Sequence, residues 1–291
     1  MDPQMKSIFR LTFLIALGAS LFAQQRLRII AIGAHPDDCD IKFGGTAIKF
    51  ARQGHAVKFL SVTNGDAGHQ SEGGGALAKR RFLETQESAK RLGIAEYEVL
   101  DNHDGELTPT VEARKQVIRS IRRWNADVVI APRPNDYHPD HRYTGVLVQD
   151  AAYMVVVPNV TPDTPPLGKN PVFLYFSDHF QKPAPFRPDV VVAIDDVFDT
   201  KLSALDAHVS QFYEWLPWVD GTLAQVPKDI RARKEWLAGQ RTRPHPAQVR
   251  EALEQRYGKG AGGQFRHVEA FELCEYGRQP SLDQLRSMFP K

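Results

Sequence analysis

Short apolar segments alternate with helical segments through the first half of this 291-residue chain, and this alternation limits the fold more than any other feature. The apolar segments span 27–33, 55–62, 97–100 and 126–131, and the last is apolar almost throughout, as a parallel strand buried on both faces should be. Strands separated by helices of about a dozen residues indicate right-handed βαβ units. The sequence therefore predicts an α/β fold, a Rossmann-like three-layer α/β/α sandwich with a mostly parallel sheet.

The helices predicted between and after these strands span 47–52, 76–92, 111–124 and 197–212. Gly93 directly follows the second helix, and glycine commonly terminates a helix. The sequence contains no internal repeat and no convincing linker. Residues 24–291 are therefore predicted to form one domain.

Two of the predicted strands end in turns that are rich in histidine and aspartate. Ala34-His35-Pro36-Asp37-Asp38 follows the first strand, and His138-Pro139-Asp140-His141 follows the fourth. Open α/β sheets place their ligand sites outside the carboxyl ends of the strands, so both turns lie where such a site is expected. Two such turns at one sheet edge favour a functional site over a pair of salt-bridged loops.

The residue types in the two turns are those of a catalytic metal centre. His35, Asp38 and His141 would supply two imidazoles and one carboxylate, a usual protein ligand set for a zinc ion that keeps a further position open for water. Bound zinc lowers the pKa of that water toward ~7, which makes hydroxide available at neutral pH. Another divalent cation could take the same place.

Three further residues of the turns could assist at this centre. Asp37 is next to a predicted ligand and could accept the proton of the water. His138 could protonate a leaving group or stabilise an oxyanion. Asp140 could hold the second nitrogen of an imidazole. These three residues complete the predicted catalytic set.

The two turns, together with Gly44-Gly45-Thr46 after the first of them, closely resemble the signature motifs of the PIG-L/LmbE family. That family consists of zinc-dependent N-deacetylases that act on N-acetylglucosamine conjugates. The resemblance implies that the three predicted ligands bind zinc, that Asp37 is the general base, and that His138 assists at the transition state.

Four further positions match the family pattern and are predicted to contact the substrate: Asn64, Asp66, Arg81 and Asp104. Each has an ordinary structural alternative. Arg81 and Glu84 are three residues apart on a predicted helix and could form a surface ion pair. The others lie beside or near glycine, in groupings that commonly form turns. At one position the chain departs from the family, because Cys39-Asp40 replaces the usual glutamate and Asp40 would reach less far into the pocket.

The N-terminus has the pattern of a secretory signal peptide. Lys6 and Arg10 precede an uncharged apolar run over 11–22, which falls short of the ~20 apolar residues that a membrane-spanning helix needs. Ala23 offers a small residue at a cleavage point, so residues 1–23 are predicted to be removed. The mature protein is predicted to be periplasmic or secreted, without stable membrane insertion.

Composition and cysteine content narrow the range of partners. The 37 basic and 35 acidic residues nearly balance, so no nucleic-acid partner is predicted. Cys39 and Cys274 could make one disulfide in an oxidising compartment but no disulfide framework. For Cys39, a small buried side chain is favoured over a soft metal ligand. The oligomeric state is left open.

Two C-terminal segments admit a ligand-binding role beside a structural one. Tyr213–Trp218 is densely aromatic, and aromatic surfaces bind sugar faces, although such side chains are more often buried. Residues 228–243 are rich in lysine and arginine. For this segment a solvated helix face is favoured over a site for an anionic substrate or a lipid surface.

Together these features predict a zinc hydrolase that removes an N-acetyl group from an amino-sugar conjugate or glycan. One alternative is a zinc amidase that cleaves a different small amide or thiol conjugate. Another is a non-catalytic glycan-binding protein of the same fold. An intact Asp37 beside three intact ligands argues against the non-catalytic alternative.

Overall fold

The computed structural model describes residues 26–291, and the predicted signal peptide lies outside them. The strands in this range are β1 (Arg28–Gly33), β2 (Ala56–Ser61), β3 (Glu96–Val99), β4 (Val128–Ala131), β5 (Val172–Phe176), β6 (Val190–Ala193) and β7 (Val268–Gly277). They form one sheet in the order β3-β2-β1-β4-β5-β7-β6. Strands β1 to β5 are parallel, and β7 runs antiparallel to both β5 and β6. The predicted α/β fold with a mostly parallel sheet is confirmed.

The α-helices of the described residues are α1 (Asp38–Arg52), α2 (Gly74–Leu92), α3 (Val111–Trp124), α4 (Pro139–Met154), α5 (Phe198–Leu205), α6 (Leu216–Val219), α7 (Ile230–Arg241), α8 (Ala247–Tyr257), α9 (Ala261–Gln264) and α10 (Leu282–Met288). Short 3₁₀ segments occur at Asp195–Val197 and Leu223–Gln225, and a π-helical segment occurs at Ser210–Trp215. Within residues 26–291, no helix has the length and apolar character needed to cross a membrane.

Helices cover both faces of the sheet and so form the three layers. On one face, Phe43 of α1 is buried in the same cluster as Ile130 of β4. On the other face, Ile121 of α3 and Leu147 of α4 are buried together with Val129 of β4. Successive strand residues point to opposite faces, so β4 must be apolar at every position to be buried on both. This explains the continuous apolar run in the sequence.

Helix α1 begins at Asp38, nine residues before the helix predicted after the Gly-Gly pair, so the predicted boundary was wrong. The cause is a pair of hydrogen bonds that cross the turn. The Asp38 carboxylate oxygen Oδ2 accepts the backbone N–H of Ala34 at 2.8 Å and that of His35 at 2.9 Å. The turn therefore closes on itself, and Asp38 lies on the first turn of the helix.

A buried carboxylate ties the last strand to α1. Glu269 of β7 accepts the backbone N–H of Gly45 at 2.8 Å and that of Thr46 at 2.7 Å. Lys201 Nζ lies 2.7 Å from the same carboxylate and also donates to the carbonyl oxygen of Ile41 at 2.8 Å. The C-terminal part of the chain thus fixes the helix that carries Asp38.

The helix predicted over 197–212 is interrupted, because α5 ends seven residues early and the chain resumes as a π-helical segment. Ser210 donates from its backbone N–H and its hydroxyl to the Glu84 carboxylate, at 2.9 and 2.6 Å. Gln211 Nε2 donates to the carbonyl oxygen of Gly68 at 3.1 Å. These contacts to α2 and to the loop before it are tertiary, and local periodicity does not encode them.

Both cysteines are free thiols and both are buried. Cys39 has no exposed surface, and its Sγ lies 3.9 Å from the carbonyl oxygen of Leu60. The prediction of a small buried side chain at Cys39 is confirmed, and no disulfide joins it to Cys274.

Gly145 of α4 lies against the backbone of the loop that follows β4. A Cβ at this position would lie 2.8 Å from the carbonyl oxygen of Pro132 and 2.9 Å from the carbonyl carbon of Arg133. Because these backbone atoms cannot move aside cheaply, Gly145→Ala should lower the free energy of unfolding by about 1–3 kcal/mol in urea denaturation.

Gly239→Ala is the matched control, because Gly239 lies in α7 and a Cβ there would meet no atom within 4 Å. This control should leave stability unchanged or raise it by up to ~1 kcal/mol. Equal stability of the two variants would contradict the argument from close backbone approach.

Candidate active site

The two histidine- and aspartate-rich turns meet at one edge of the sheet, because β1 and β4 are adjacent parallel strands. His35 Nδ1 lies 3.1 Å from His141 Nε2. Asp38 Oδ2 lies 3.7 Å from His35 Nδ1 and 3.5 Å from His141 Nε2. The structure therefore brings the three predicted metal ligands together around one point.

The spacing of these three atoms suits a metal ion. In a tetrahedral zinc site with ligand distances of about 2.0–2.1 Å, the ligand atoms lie about 3.3 Å from one another. The separations of 3.1, 3.5 and 3.7 Å scatter around that value. Two imidazole nitrogens and one carboxylate oxygen could therefore hold a divalent cation here.

The electrostatic field of the site favours a positive charge at the same point. Burial lowers the pKa of His35, but Asp104, Asp140 and Asp38 outweigh this effect and raise the pKa to about 10. A metal ion competes with protons for its imidazole ligands. The carboxylates that stabilise the protonated ring would likewise stabilise a cation bound to His35.

Carboxylates contact the second ring nitrogen of both imidazoles. Asp104 Oδ1 lies 3.0 Å and Asp140 Oδ2 lies 3.3 Å from His35 Nε2, while Asp136 Oδ1 lies 3.0 Å from His141 Nδ1. Metal-binding histidines commonly donate their other N–H to a carboxylate, which fixes the ring orientation. The three aspartates are therefore placed to orient His35 and His141.

Two other sets of donor atoms lie within 4.8 Å of one another: His35 with His138 and His141, and His35 with Asp104 and Asp140. In the first set, His138 Nδ1 already accepts the backbone N–H of Asp140 at 3.2 Å. In the second set, both carboxylates face the Nε2 side of His35, away from His141. These positions suit orientation of the ligands better than ligation itself.

Asp37 lies beside the ligand set and contacts Arg81. Arg81 Nη2 is 3.4 Å from Asp37 Oδ1, and Arg81 Nη1 is 3.5 Å from Asp104 Oδ2. Burial raises the pKa of the Asp37 carboxyl, although the Arg81 charge opposes this effect. Arg81 is only 2% exposed. It therefore bridges two carboxylates in the interior and does not form the alternative surface pair with Glu84.

His138 is placed as a neutral hydrogen-bond donor. Its Nδ1 accepts the N–H of Asp140, so in the neutral ring the proton is on Nε2. Burial, together with the neighbouring His35 and His141, lowers the pKa of His138 and keeps the ring neutral at pH 7. His138 lines the same cavity as the ligands, where an N–H donor could stabilise developing negative charge.

Asn64 and Asp66 hold loops together and do not line the cavity. Asn64 Nδ2 donates to Asp101 Oδ1 at 2.9 Å. Asp66 accepts the backbone N–H of Asp104 at 3.0 Å and contacts His103 Nδ1 at 2.7 Å. In this structure both residues are turn-forming, and Asp66 helps to place Asp104. Their predicted contact with substrate stays a prediction.

Asp40, where the chain departs from the family pattern, points away from the cavity. Its carboxylate accepts the hydroxyl of Tyr97 at 3.0 Å and that of Ser88, and it lies 3.3 Å from His208 Nε2. All four side chains are buried. Asp40 therefore stabilises the packing beneath α1 and does not line the cavity.

The site residues line a cavity of about 390 Å³, and part of its wall comes from the predicted aromatic segment. Trp215 lines the cavity, and Trp218 stacks on it with ring centroids 5.3 Å apart and planes 15° apart. Trp218 is 51% exposed, whereas Tyr213 at the other end of the segment is buried. The segment thus divides into a core half and a half that borders the cavity.

Asp136 is a residue of the candidate site that the sequence interpretation missed. It accepts the backbone N–H of His138 at 3.1 Å in addition to its contact with His141. The signal was present, because Asp136 belongs to the same charged turn and lies five residues before a predicted ligand.

Comparison with known proteins places the chain in a family. The family model for PIG-L, described as GlcNAc-PI de-N-acetylase, matches residues 30–152, which contain both turns. The diacetylchitobiose deacetylase of Thermococcus kodakarensis is 35% identical over 204 residues, which cover 66% of this chain and 73% of that protein. The chain belongs to the PIG-L family.

Proteins similar to this PIG-L chain include both a deacetylase and a hydratase. The structure of N,N'-diacetylchitobiose deacetylase from Pyrococcus horikoshii, complexed with its inhibitor MPG, matches with a TM-score of 0.63 and 28% identity, covering 84% of this chain and 83% of that chain. The 4-oxalmesaconate hydratase of Pseudomonas putida is 25% identical over 194 residues, which cover 64% of this chain and 74% of that protein. Because a hydratase is also similar, the reaction has to be argued from the site.

Asp136→Asn should weaken zinc binding by about tenfold, because a neutral amide replaces the carboxylate that holds His141 Nδ1. Competition with a chromophoric chelator measures the zinc affinity. Asp163→Asn is the control, since Asp163 pairs with Arg119 on the surface, away from the site. The orienting role of Asp136 is refuted if the two variants bind zinc equally well.

Proposed function

We propose that this PIG-L family protein is a zinc-dependent N-deacetylase that removes the acetyl group from an N-acetylglucosamine-containing conjugate or glycan. The observation that carries the proposal is the convergence of two imidazoles and a carboxylate, with a buried carboxylate and a neutral imidazole in the same cavity. The deacetylase relatives support the reaction class, and the diacetylchitobiose named for them supports an acetylated amino-sugar substrate. The N-terminal sequence pattern supports export as part of the same proposal.

His35, Asp38 and His141 would hold the cation in this proposal. When bound, such an ion acidifies a water molecule and polarises a carbonyl group. The mixed nitrogen and oxygen donor set suits Zn²⁺ and could also accept other divalent cations. Asp104, Asp136 and Asp140 would keep the two imidazoles oriented.

Asp37 would be the general base. A base works best when its pKa is close to the operating pH, and burial moves the pKa of Asp37 upward in that direction. The contact with Arg81, at 3.4 Å, holds the carboxylate in place and limits the rise. Asp37 would take a proton from the attacking water.

His138 would stabilise the oxyanion that forms when water attacks the amide carbonyl. Its Nε2–H is the free donor, since Nδ1 is occupied by the backbone of α4. A donor placed before the reaction stabilises the charged state without reorganisation. The departing amine would then receive a proton from Asp37 or His138.

Asp37→Asn should lower kcat for acetate release by about 10²–10⁴-fold, because the variant retains the shape of the site but loses its base. The measurement is free-acetate release from a panel of N-acetylglucosamine conjugates, by protein lacking residues 1–23, with zinc present. Asp163→Asn again serves as the control and should retain the parent rate.

The outcomes of this assay separate the candidate functions. Acetate release that persists in Asp37→Asn would refute the assigned base. No release from any conjugate, with one zinc bound per chain, would overturn deacetylation of amino sugars and favour an amidase that acts on another small amide. Glycan binding without zinc-dependent turnover would favour the non-catalytic alternative.

Trp215→Ala should raise KM by up to about tenfold while leaving kcat nearly unchanged, because a sugar ring that packs on the indole loses apolar contact in both ground and transition states. Tyr153→Ala is the control, since Tyr153 is an exposed aromatic residue of α4 outside the cavity. An unchanged KM in Trp215→Ala would show that the sugar does not use this wall.

A further inference from the structure

A second cavity, of about 350 Å³, adjoins the active-site cavity. Ile41 and Lys42 of α1 line both cavities. Much of the remaining wall comes from 240–245, at the end of α7, and from 266–269, at the start of β7. These two segments lie outside residues 30–152, which match the PIG-L family model. The second cavity is therefore built largely by a part of the chain that the family signature does not cover.

The lining of this cavity is strongly cationic. Its charged side chains are Lys42, Lys201, Arg241, Arg243, Arg266 and Glu269. The Glu269 carboxylate is already occupied, because it accepts from Lys201 Nζ and from two backbone N–H groups of α1. Across the part of the chain that the structure describes, the ion pairs include none with Arg241, Arg243 or Arg266. The cavity thus carries excess positive charge.

Arg241 is the most enclosed of these three arginines. Its guanidinium carbon lies 4.7 Å from the centre of the Phe212 ring, so the planar group stacks on an aromatic face. Its Nε is buried and has no hydrogen-bond partner among residues 26–291. Arg241 thus places a guanidinium that stacks on an aromatic ring, and that has no carboxylate partner among the described residues, on the wall of the cavity.

We propose that this cationic cavity binds an anionic group, a carboxylate or a phosphate, that the substrate carries next to its acetylated sugar. Arginine side chains suit such groups because their N–H donors match two oxygens at once. The inference rests on the proposed deacetylase function and narrows it. The preferred substrate is an acidic conjugate of N-acetylglucosamine, with its sugar in the active-site cavity and its anion near Arg241.

Binding of inorganic phosphate tests the cavity without any turnover. Phosphate is titrated into the full mature protein by calorimetry at low ionic strength. We expect one binding event, weakened about tenfold in Arg241→Gln and in Arg243→Gln, since each substitution removes charge-assisted hydrogen bonds. Arg231→Gln is the matched control, because Arg231 is an exposed arginine of α7 outside the cavity. It should bind phosphate as the parent does.

A variant of the proposed metal site shows which of the two cavities binds phosphate in this titration. His141→Ala should bind phosphate as tightly as the parent, because His141 does not line the cationic cavity. Because Arg243 is exposed, Arg243→Gln tests the idea even if Arg241→Gln does not fold. Parent-like affinity in both cavity variants, or a loss confined to His141→Ala, would overturn the proposed anion site.

Paired substrates then test the link to catalysis. Two N-acetylglucosamine conjugates that differ only by a carboxylate or a carboxamide next to the sugar are compared by kcat/KM. The carboxylate should be preferred by about tenfold in the parent and in Arg231→Gln, and this preference should disappear in Arg243→Gln. Equal turnover of both conjugates by the parent would overturn the inference and leave the deacetylase proposal intact. If the parent released acetate from neither conjugate, the deacetylase proposal would be overturned. The phosphate titration alone would then show whether the cationic cavity binds an anion.

Discussion

One carboxylate oxygen, Asp38 Oδ2, connects the local structure of the first turn to the chemistry of the site. It accepts two backbone N–H groups, from Ala34 and His35, and so makes α1 begin directly after the turn. The same oxygen lies 3.5 Å from His141 Nε2 and 3.7 Å from His35 Nδ1. If that oxygen moved, the start of the helix and the proposed ligand set would be lost together.

The site concentrates negative charge, and the surrounding structure compensates for it. Buried carboxylates are costly unless they are paired or hydrogen-bonded. Asp140, which has no exposed surface, accepts the backbone N–H of Gly105 at 2.7 Å, and Asp66 accepts that of Asp104. Arg81 sits between Asp37 and Asp104 as a fixed counter-charge. The carboxylates are thus held in fixed orientations, as binding of a cation requires.

The fold and the meeting of the two turns could be predicted because both follow from local patterns. Apolar runs mark the parallel strands, and strand topology brings the ends of β1 and β4 to one edge, which is why His35 and His141 meet. Other features depend on distant partners. The first residue of α1 depends on a side chain that bonds across its own turn, and the break after α5 depends on Glu84.

The same distinction separates the auxiliary residues. Sequence spacing alone left two interpretations of Arg81, as a surface partner of Glu84 or as a residue of the site. The packing of α2 against the first turn places Arg81 in the site. Asn64 and Asp66 matched the family pattern, but their neighbours are other loop residues. The sequence marked 228–243 as basic and left an anionic ligand as the less favoured alternative. The cavity itself could not be predicted, because it joins α1 to segments about 200 residues away along the chain.

The strand order has a consequence for how the molecule is made. Strand β7 lies between β5 and β6, and among residues 26–291 β6 pairs with no other strand. During synthesis, β6 is without this neighbour in the sheet until residues 268–277 have emerged. Glu269 belongs to β7 and fixes α1, so this contact also becomes available only at that point. The two turns are synthesised first, but the contact that fixes α1 beside them forms only when β7 has joined the sheet.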